Sequence, residues 1–271
     1  MANKSEISLT NKECLNSEVY EIEGKPRVNF YPFAYALNNN CLSDHCWYCL
    51  DSNDHLRRCT GCLSAVFCDK NCQSLGWKDH RAECKPLSCC DSIPDIEVRL
   101  LGRIVVRYKT IKRGKDKLDE NFYYMRSSKR EIMEVWCHSE ILRNDLSAMK
   151  KFDDIYTRMV DFLGSKVLLS KDDVFELHCR DFINRHAISD KGYVQEIGKG
   201  LYLDLCAYDH SCSPNSIYTF NGFIATLRGL TTDVCLLDRS STFYSYIDPL
   251  KYTDSSHYSY LMISNLSVGT K

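Results

Sequence analysis

Several things are scarce in this sequence. No apolar run approaches the roughly 18 to 20 residues that span a bilayer, and the opening MANKSEISLTNKEC lacks the apolar segment of a secretory signal. A cytoplasmic and/or nuclear protein with no membrane partner is therefore expected. Neither sign of charge is in excess: 35 Lys+Arg face 36 Asp+Glu. No global field draws the chain to nucleic acid or to an anionic membrane, and no strong direct nucleic-acid signal is present. Partners have to be argued from sites. Proline (6) and glycine (12) are sparse in 271 residues, and neither a low-complexity segment nor an internal repeat is visible. Length alone allows one large domain or two ordinary ones.

Cysteine, by contrast, is abundant, at 16 residues. In a reducing compartment clustered cysteines hold metal more often than they form disulfides. From Cys46 the chain reads C-x2-C-x9-C-x2-C-x5-C-x3-C-x7-H-x3-C, ending at Cys84. Seven thiolates and one imidazole make two complete tetrahedral sets for structural Zn2+. The stretch DKNCQSLGWKDHRAEC reads as a helix that places His80 and Cys84 one turn apart on one face. Cys72 lies about 12 Å from His80 along such a helix, at ~1.5 Å per residue, too far to share an ion. The pairs therefore interleave: Cys46, Cys49, Cys68 and Cys72 for one zinc, Cys59, Cys62, His80 and Cys84 for the other. Cys41, His45, His55, Cys89 and Cys90 are left outside both sets, on loops. A segment of this size has too little core to fold alone, so metal binding supplies its folding energy and both ions are structural. Cys59→Ser is expected to cost one zinc and unfold this segment without disturbing the C-terminal β module.

Beyond Cys84 the stretch CKPLSCCDSIPD reads as a connector broken by Pro86 and Pro94. Val98, Leu101, Ile104, Val105 and Tyr108 recur at helical spacing and predict a helix over 96–108. Residues 111–121 form a charge-dense surface loop. From Ser128 to about Gly164, Ile132, Val135, Trp136 and then Phe152, Ile155, Tyr156, Met159, Val160 and Leu163 predict two helices with a break near 143–147. Ser170 and Asp173 form a capping box for a third helix over 171–186, on which His178 has a packing or surface place and no role. Past Gly192 the pattern turns to short strands: YVQEI, GLYLDL and SIYTF-NG-FIATLRG, with Asn221-Gly222 predicting a hairpin turn with positive φ at both positions. TFYSYID, at 242–248, is a further strand.

Between these strands lies YDHSCSPN, Tyr208 to Asn215. As a Cys-His-Asp nucleophile it fails on geometry, because adjacent side chains of an extended segment point apart. As a zinc site His210 and Cys212 lack a second pair. A buried turn held by Ser and Asn side chains is the plainest account.

The cysteine ladder, with FCDKNCQ at 67–73 and Trp77, resembles the MYND zinc finger. The strand leading into YDHSCSPN, the NG hairpin and a strand ending in SYID resemble the C-terminal half of a SET domain, whose N-H-S-C-x-P-N stretch sits in a threaded, knot-like core. With PFAYAL at 32–37, EVRLLGRIV at 97–105 and GKGLYLDLCAYDHSC at 198–212, the order resembles the SMYD family of SET-and-MYND protein-lysine methyltransferases over roughly residues 24–249. The resemblance implies an α+β fold, with a β-rich SET-type core split by an inserted two-zinc MYND finger and a helical segment. The expected parts are an incomplete N-terminal SET portion (1–45), the finger (46–84), a helical insertion (85–191), the core SET portion (192–249) and a divergent or alternatively spliced tail (250–271).

The resemblance also implies S-adenosylmethionine as cofactor, contacted by Cys206, Asp209 and His210, and Tyr246 as the channel tyrosine that orients the target amine, although Tyr246 read alone is equally a core aromatic of a strand. Three departures stand out. Residues 1–35 contain only Gly24 where the family carries a G-x-G turn, and Gly198 and Gly200 belong to a different part of the pattern. Asp209 stands where the family has asparagine, so an acceptor replaces a group that also donates. The tail from Lys251 contains no cysteine. Two functions follow: methylation of lysine on histone or other proteins, or a catalytically impaired adaptor and transcriptional regulator whose finger recruits proteins, proline-containing motifs among them.

Overall fold

A computed structural model describes residues 19–22, 25–114, 130–165, 169–210, 214–230, 232 and 242–243, with backbone alone at 19–21, 209–210 and 242–243. The fold is mixed α+β. Strands β1 (Val19–Ile22) and β2 (Lys25–Phe30) open the described chain, and β3 (Ala34–Leu37) follows. The cysteine-rich segment contributes the two-residue strands β4 (Arg57–Arg58) and β5 (Val66–Phe67) and then helix α1 (Lys70–Cys89). Helices α2 (Ile96–Lys112), α3 (Ser139–Asn144), α4 (Leu146–Leu163) and α5 (Lys171–Asn184) come next. The chain then returns to strands: β6 (Arg185–Ser189), β7 (Glu196–Leu201), β8 (Asp209–His210), β9 (Ser216–Asn221), β10 (Ile224–Gly229) and β11 (Thr242–Phe243).

One sheet has the order β1-β2-β10-β9-β11-β8, a second is β3-β7-β6, and β4 pairs with β5. β2 is zipped antiparallel to β10 in register Val28↔Leu227, so segments far apart in the sequence build one sheet. Alternation along β2 and β10 buries Val28, Phe30, Ala225 and Leu227 on one face, as the period of 2 requires. α2 is the central helix. Val98, Leu100, Leu101, Ile104 and Val105 are fully buried, and the helix packs against β3, α4 and α5.

Three arginines on α2 do the work of a strand. Arg99, Arg103 and Arg107, at i, i+4 and i+8, donate to the carbonyls of Leu37 (2.6 Å), Tyr35 (2.7 Å) and Phe33 along β3. Four residues of helix rise about 6 Å and two residues of strand about 6.6 Å, so the two rows stay in step. β3 pairs with β7 on one side, and the guanidinium groups cover its other edge. The same arginines reach acids on α1: Arg103 makes a bidentate pair with Glu83 (2.7 and 2.8 Å), and Arg107 pairs with Asp79.

Several expectations are corrected. The connector predicted after Cys84 is helical to Cys89 and runs through Pro86. Leu87, buried in the core, anchors that last turn, and Cys90 is its C-cap rather than a loop residue. Cys41 is buried in a 3-10 turn at Asn39–Cys41. Arg185 and His186, predicted helical, begin β6: the Asn184 side chain donates to the Arg180 carbonyl (2.7 Å) and closes α5. Between 130 and 138 there is a 3-10 turn at Ile132–Glu134 instead of a helix, and Trp136 is 63 % exposed instead of packed. The break falls at Asp145, whose carboxylate caps α4 through Ser147 and Ala148, inside the predicted window. Ser170 caps α5 through the Asp173 N–H as predicted (3.2 Å).

The NG hairpin forms, but its turn is shifted. Asn221 stays in β9 opposite Ile224, and positive φ occurs at Gly222 (59°) and not at Asn221. Glycine alone at the first central position is the type II′ pattern. The displacement has a packing cause. A Cβ at Gly222 would lie 2.2 Å from the Cys49 carbonyl oxygen, and the Phe223 ring stacks on Tyr35 (5.1 Å) and leans on Tyr48 (5.4 Å). Tyr202 Oη donates to the Phe223 carbonyl (2.7 Å). The hairpin tip therefore sits on the first cysteine pair.

Candidate functional site

The cysteine-rich segment brings its eight candidate ligands into two groups, Cys46, Cys49, Cys68 and Cys72, and Cys59, Cys62, His80 and Cys84, with the ligand atoms of each group within 4.8 Å of one another. These are the interleaved sets the spacing predicts. Each C-x2-C pair forms the same knuckle: the Leu50 N–H donates to the Cys46 carbonyl (3.0 Å) and the Leu63 N–H to the Cys59 carbonyl (2.8 Å). In both, the leucine after the second cysteine takes a left-handed φ, 63° at Leu50 and 61° at Leu63, a conformation leucine adopts only at a cost of order 1–2 kcal/mol. Cys68 follows β5, and Cys72 lies in the first turn of α1, its N–H capped by Asp69 (2.8 Å). His80 and Cys84 follow about two and three turns further along that helix.

The separations suit tetrahedral zinc. At Zn–S of about 2.3 Å and Zn–N of about 2.0–2.1 Å, neighbouring ligand atoms stand about 3.5–3.8 Å apart. Cys49 and Cys68 sulfurs are 3.5 Å apart, Cys59 and Cys84 sulfurs 3.8 Å, and Cys62 sulfur and His80 Nε2 3.5 Å. His80 is buried among the rings of Trp47, Phe67 and Trp77 at 5.7 to 6.1 Å, and burial pushes its pKa down to about 4. The imidazole is thus held neutral, the state that ligates metal. His45, His55, Cys41, Cys89 and Cys90 belong to neither group, as expected. On the outer face of α1, Lys70, Gln73, Ser74 and Trp77 line an open groove of about 340 Å³, with Trp77 44 % exposed.

Asp79 precedes the ligand His80 and Glu83 precedes Cys84, and both are gripped by the arginine row of α2. Sequence reading missed this row. The signal was present as R-x3-R-x3-R inside an apolar helix, where charge on a buried face demands partners.

The predicted cofactor loop is placed in part. Cys206 lies in a 3-10 turn at Leu205–Ala207, and its thiol donates to the carbonyls of Tyr202 (2.8 Å) and Asn184 (3.4 Å). Burial pushes that thiol up to about 12, so it stays protonated. Asp209 and His210 form β8, and β11 is parallel to both β8 and β9, with Phe243 opposite both His210 and Ser216. Thr242 and Phe243 thus lie between β8, which is part of YDHSCSPN, and β9, which follows it. Tyr246 lies outside the described residues, as do the side chains of Asp209 and His210. Gly198 and Gly200 sit within β7, where a Cβ on Gly198 would come 2.5 Å from the Ala36 carbonyl oxygen; that glycine serves strand approach, not a cofactor. Where the side chain is described, the loop's chemistry does not conflict with S-adenosylmethionine: the Cys206 thiol is neutral and sets no charge against a sulfonium.

Two interleaved Cys/His tetrads on a knuckle–knuckle–helix frame define a MYND-type finger, here built into a mixed α+β body. A family model described as the MYND finger matches residues 46–84. Histone-lysine N-methyltransferase SMYD3 of Mus musculus is 31 % identical over 219 residues, 78 % of this chain and 49 % of that protein. N-lysine methyltransferase SMYD2-B of Xenopus laevis is 27 % identical over 227 residues, 82 % of this chain and 49 % of its own length. N-lysine methyltransferase SMYD2 of Homo sapiens is 25 % identical over 236 residues, with 82 % and 48 % covered. The chain is a relative of the SMYD family, and it spans about half the length of the curated relatives it matches. Among the described residues no helix is long and apolar enough to cross a membrane.

Proposed function

We propose that this chain is a zinc-stabilised SET/MYND protein that binds S-adenosylmethionine and transfers its methyl group to lysine side chains of a protein substrate, with the finger holding protein partners. The observation that carries this reading is the placement of β11 between β8, within YDHSCSPN, and β9, in a chain similar to lysine methyltransferases over most of its length. Bound S-adenosylmethionine supplies an electrophilic methyl group. Asp209, His210 and the turn at Cys206 would hold it, and Tyr246 would orient the lysine amine by hydrogen bonding. The two zincs have closed sets of four ligands and a structural task. The body's contribution is alignment and exclusion of water around the amine, which must be neutral to react.

The test is transfer of labelled methyl from S-adenosylmethionine to a histone mixture by zinc-loaded protein. Transfer that falls by about 100-fold or more in Tyr246→Phe supports the reading. No transfer to histones or to a whole-cell protein extract contradicts it.

A second reading is favoured by one specific observation, the open groove at Lys70, Gln73, Ser74 and Trp77. An exposed tryptophan beside amide and hydroxyl groups suits a proline-containing peptide in polyproline conformation. With Asp209 in the loop and no G-x-G in residues 1–35, the chain then acts as an adaptor. Peptide binding lost in Trp77→Ala, in protein that transfers no methyl group, would establish it.

A further inference from the structure

The outward face of β1, β2, β10 and β9 carries none of the candidate zinc-ligand or cofactor residues. Arg27 on β2 and Arg228 on β10 are directly opposite each other in the ladder. Like charges in that relation repel, yet the two guanidinium groups make no hydrogen bond or ion pair among the described residues, and the Nε of each is shielded from solvent without a partner. Lys25, two residues before Arg27 on the same strand, shares their face. By the register, Asn29, Thr226 and Thr219 continue it on one side and Ile217 lies next to Arg228. Ile22, paired with Lys25, is 43 % exposed, and Leu230, just past β10, is 40 % exposed. Among the described side chains of this face there is no acid. The result is a compact patch of three uncompensated cations bordered by exposed aliphatic side chains, on a protein whose overall charge is −1.

We infer that this face is a docking surface for an acidic, extended segment of a partner protein, carrying carboxylates at alternate positions and an aliphatic anchor. Charge complementarity selects the sign. A carboxylate pairs with the guanidinium groups by charge-assisted hydrogen bonds, stronger than those a neutral segment could make. Spacing selects the shape: Lys25 and Arg27 stand about 6.6 Å apart along the strand, the repeat of alternate side chains in an extended peptide. Number argues against a polyanion, because three cations release few counterions, whereas nucleic-acid sites of useful affinity engage roughly 6–10 phosphates. The exposed Ile22 and Leu230 have no use for a phosphate backbone and suit an apolar side chain of a peptide.

The experiment uses the whole zinc-loaded chain and a short fluorescein-labelled peptide with glutamates at alternate positions and one leucine, read by anisotropy. Binding is expected, weakening as salt rises. The glutamine version of the peptide and the R27Q/R228Q variant should each bind at least about tenfold more weakly, while Lys171→Gln, on α5 and paired with Asp153 away from this face, binds as the parent does. The comparison of the two peptides on the unaltered chain decides the matter even if R27Q/R228Q fails to fold. No binding, equal binding of the glutamine peptide, or indifference to R27Q/R228Q in folded protein overturns the inference. Tighter binding of a single-stranded oligonucleotide or of phosphoinositide-containing vesicles at the same arginines overturns it as well, and assigns the face to phosphate.

Discussion

Arg103 is buried between Glu83 on the zinc-bearing helix and the Tyr35 carbonyl of β3. Burial works against its charge, yet Glu83 at 2.7 Å holds the guanidinium protonated above its ordinary range. Removing one partner of such a pair leaves the other buried and unpaired, which costs about 3–5 kcal/mol. Arg103→Met is expected to lose that much in denaturant unfolding, and adding Glu83→Leu should recover most of it. His178 sets a pH dependence of a different kind. It packs against Phe152 (5.2 Å) and Phe182 (5.9 Å), and burial, helped by Arg185, pushes its pKa from 6.5 down to about 4. A depressed histidine contributes stability that is full above 6.5 and is lost as pH falls toward 4. Asp181, pushed up by burial from 3.8 to about 6, has the opposite sign: its contribution is full below 3.8 and is lost as pH rises through 6. Relative to the parent, His178→Phe should gain stability as pH falls from 6.5 to 4, by an amount on the order of 1–3 kcal/mol. A pH-independent difference in unfolding free energy would contradict this.

The knuckles, the hairpin and α1 form the coupled elements. Leu63 is held at φ 61° with its side chain 63 % exposed, so glycine there relieves strain and forfeits little packing. Leu63→Gly is expected to raise stability by up to about 1 kcal/mol, seen as a higher thermal midpoint. The two metal groups should differ in reach. Because the hairpin tip lies on the Cys49 carbonyl, Cys49→Ser should speed amide exchange across 216–229, and Gly222→Ala should do so without loss of zinc. Cys59→Ser should act first on α1 and, through Asp79 and Glu83, on α2. Equal protection of the hairpin in Cys49→Ser and in the parent would separate finger and sheet. The metal groups were legible in the sequence because ligand spacing is local and chemically restrictive. The helices at α2, α4 and α5 were legible from period and caps. The grip of Arg99, Arg103 and Arg107 on β3 was not, since it joins residues more than 60 positions apart and no local pattern encodes the register. The shift of the NG turn was hidden for the same reason: Cys49, far away in sequence, decides where Gly222 must be.

At the scale of the whole molecule, β2 and β10 zip residues far apart in the sequence into one sheet, and α1 carries the candidate zinc ligands while resting on the arginine row. The candidate cofactor loop is described only at 208–210 and 214–215, and the roles proposed for Asp209, His210 and Tyr246 rest on the resemblance of their motifs. Zinc content should be two ions per chain by elemental analysis, and one or three would break the ligand assignment. The central claim is that this body binds S-adenosylmethionine at the YDHSCSPN loop, and titration calorimetry of the cofactor into zinc-loaded protein tests it most directly. The account predicts saturable binding in the parent that is lost in His210→Ala, with unchanged folding and zinc content. No heat of binding at millimolar cofactor, or equal binding by His210→Ala, would contradict it.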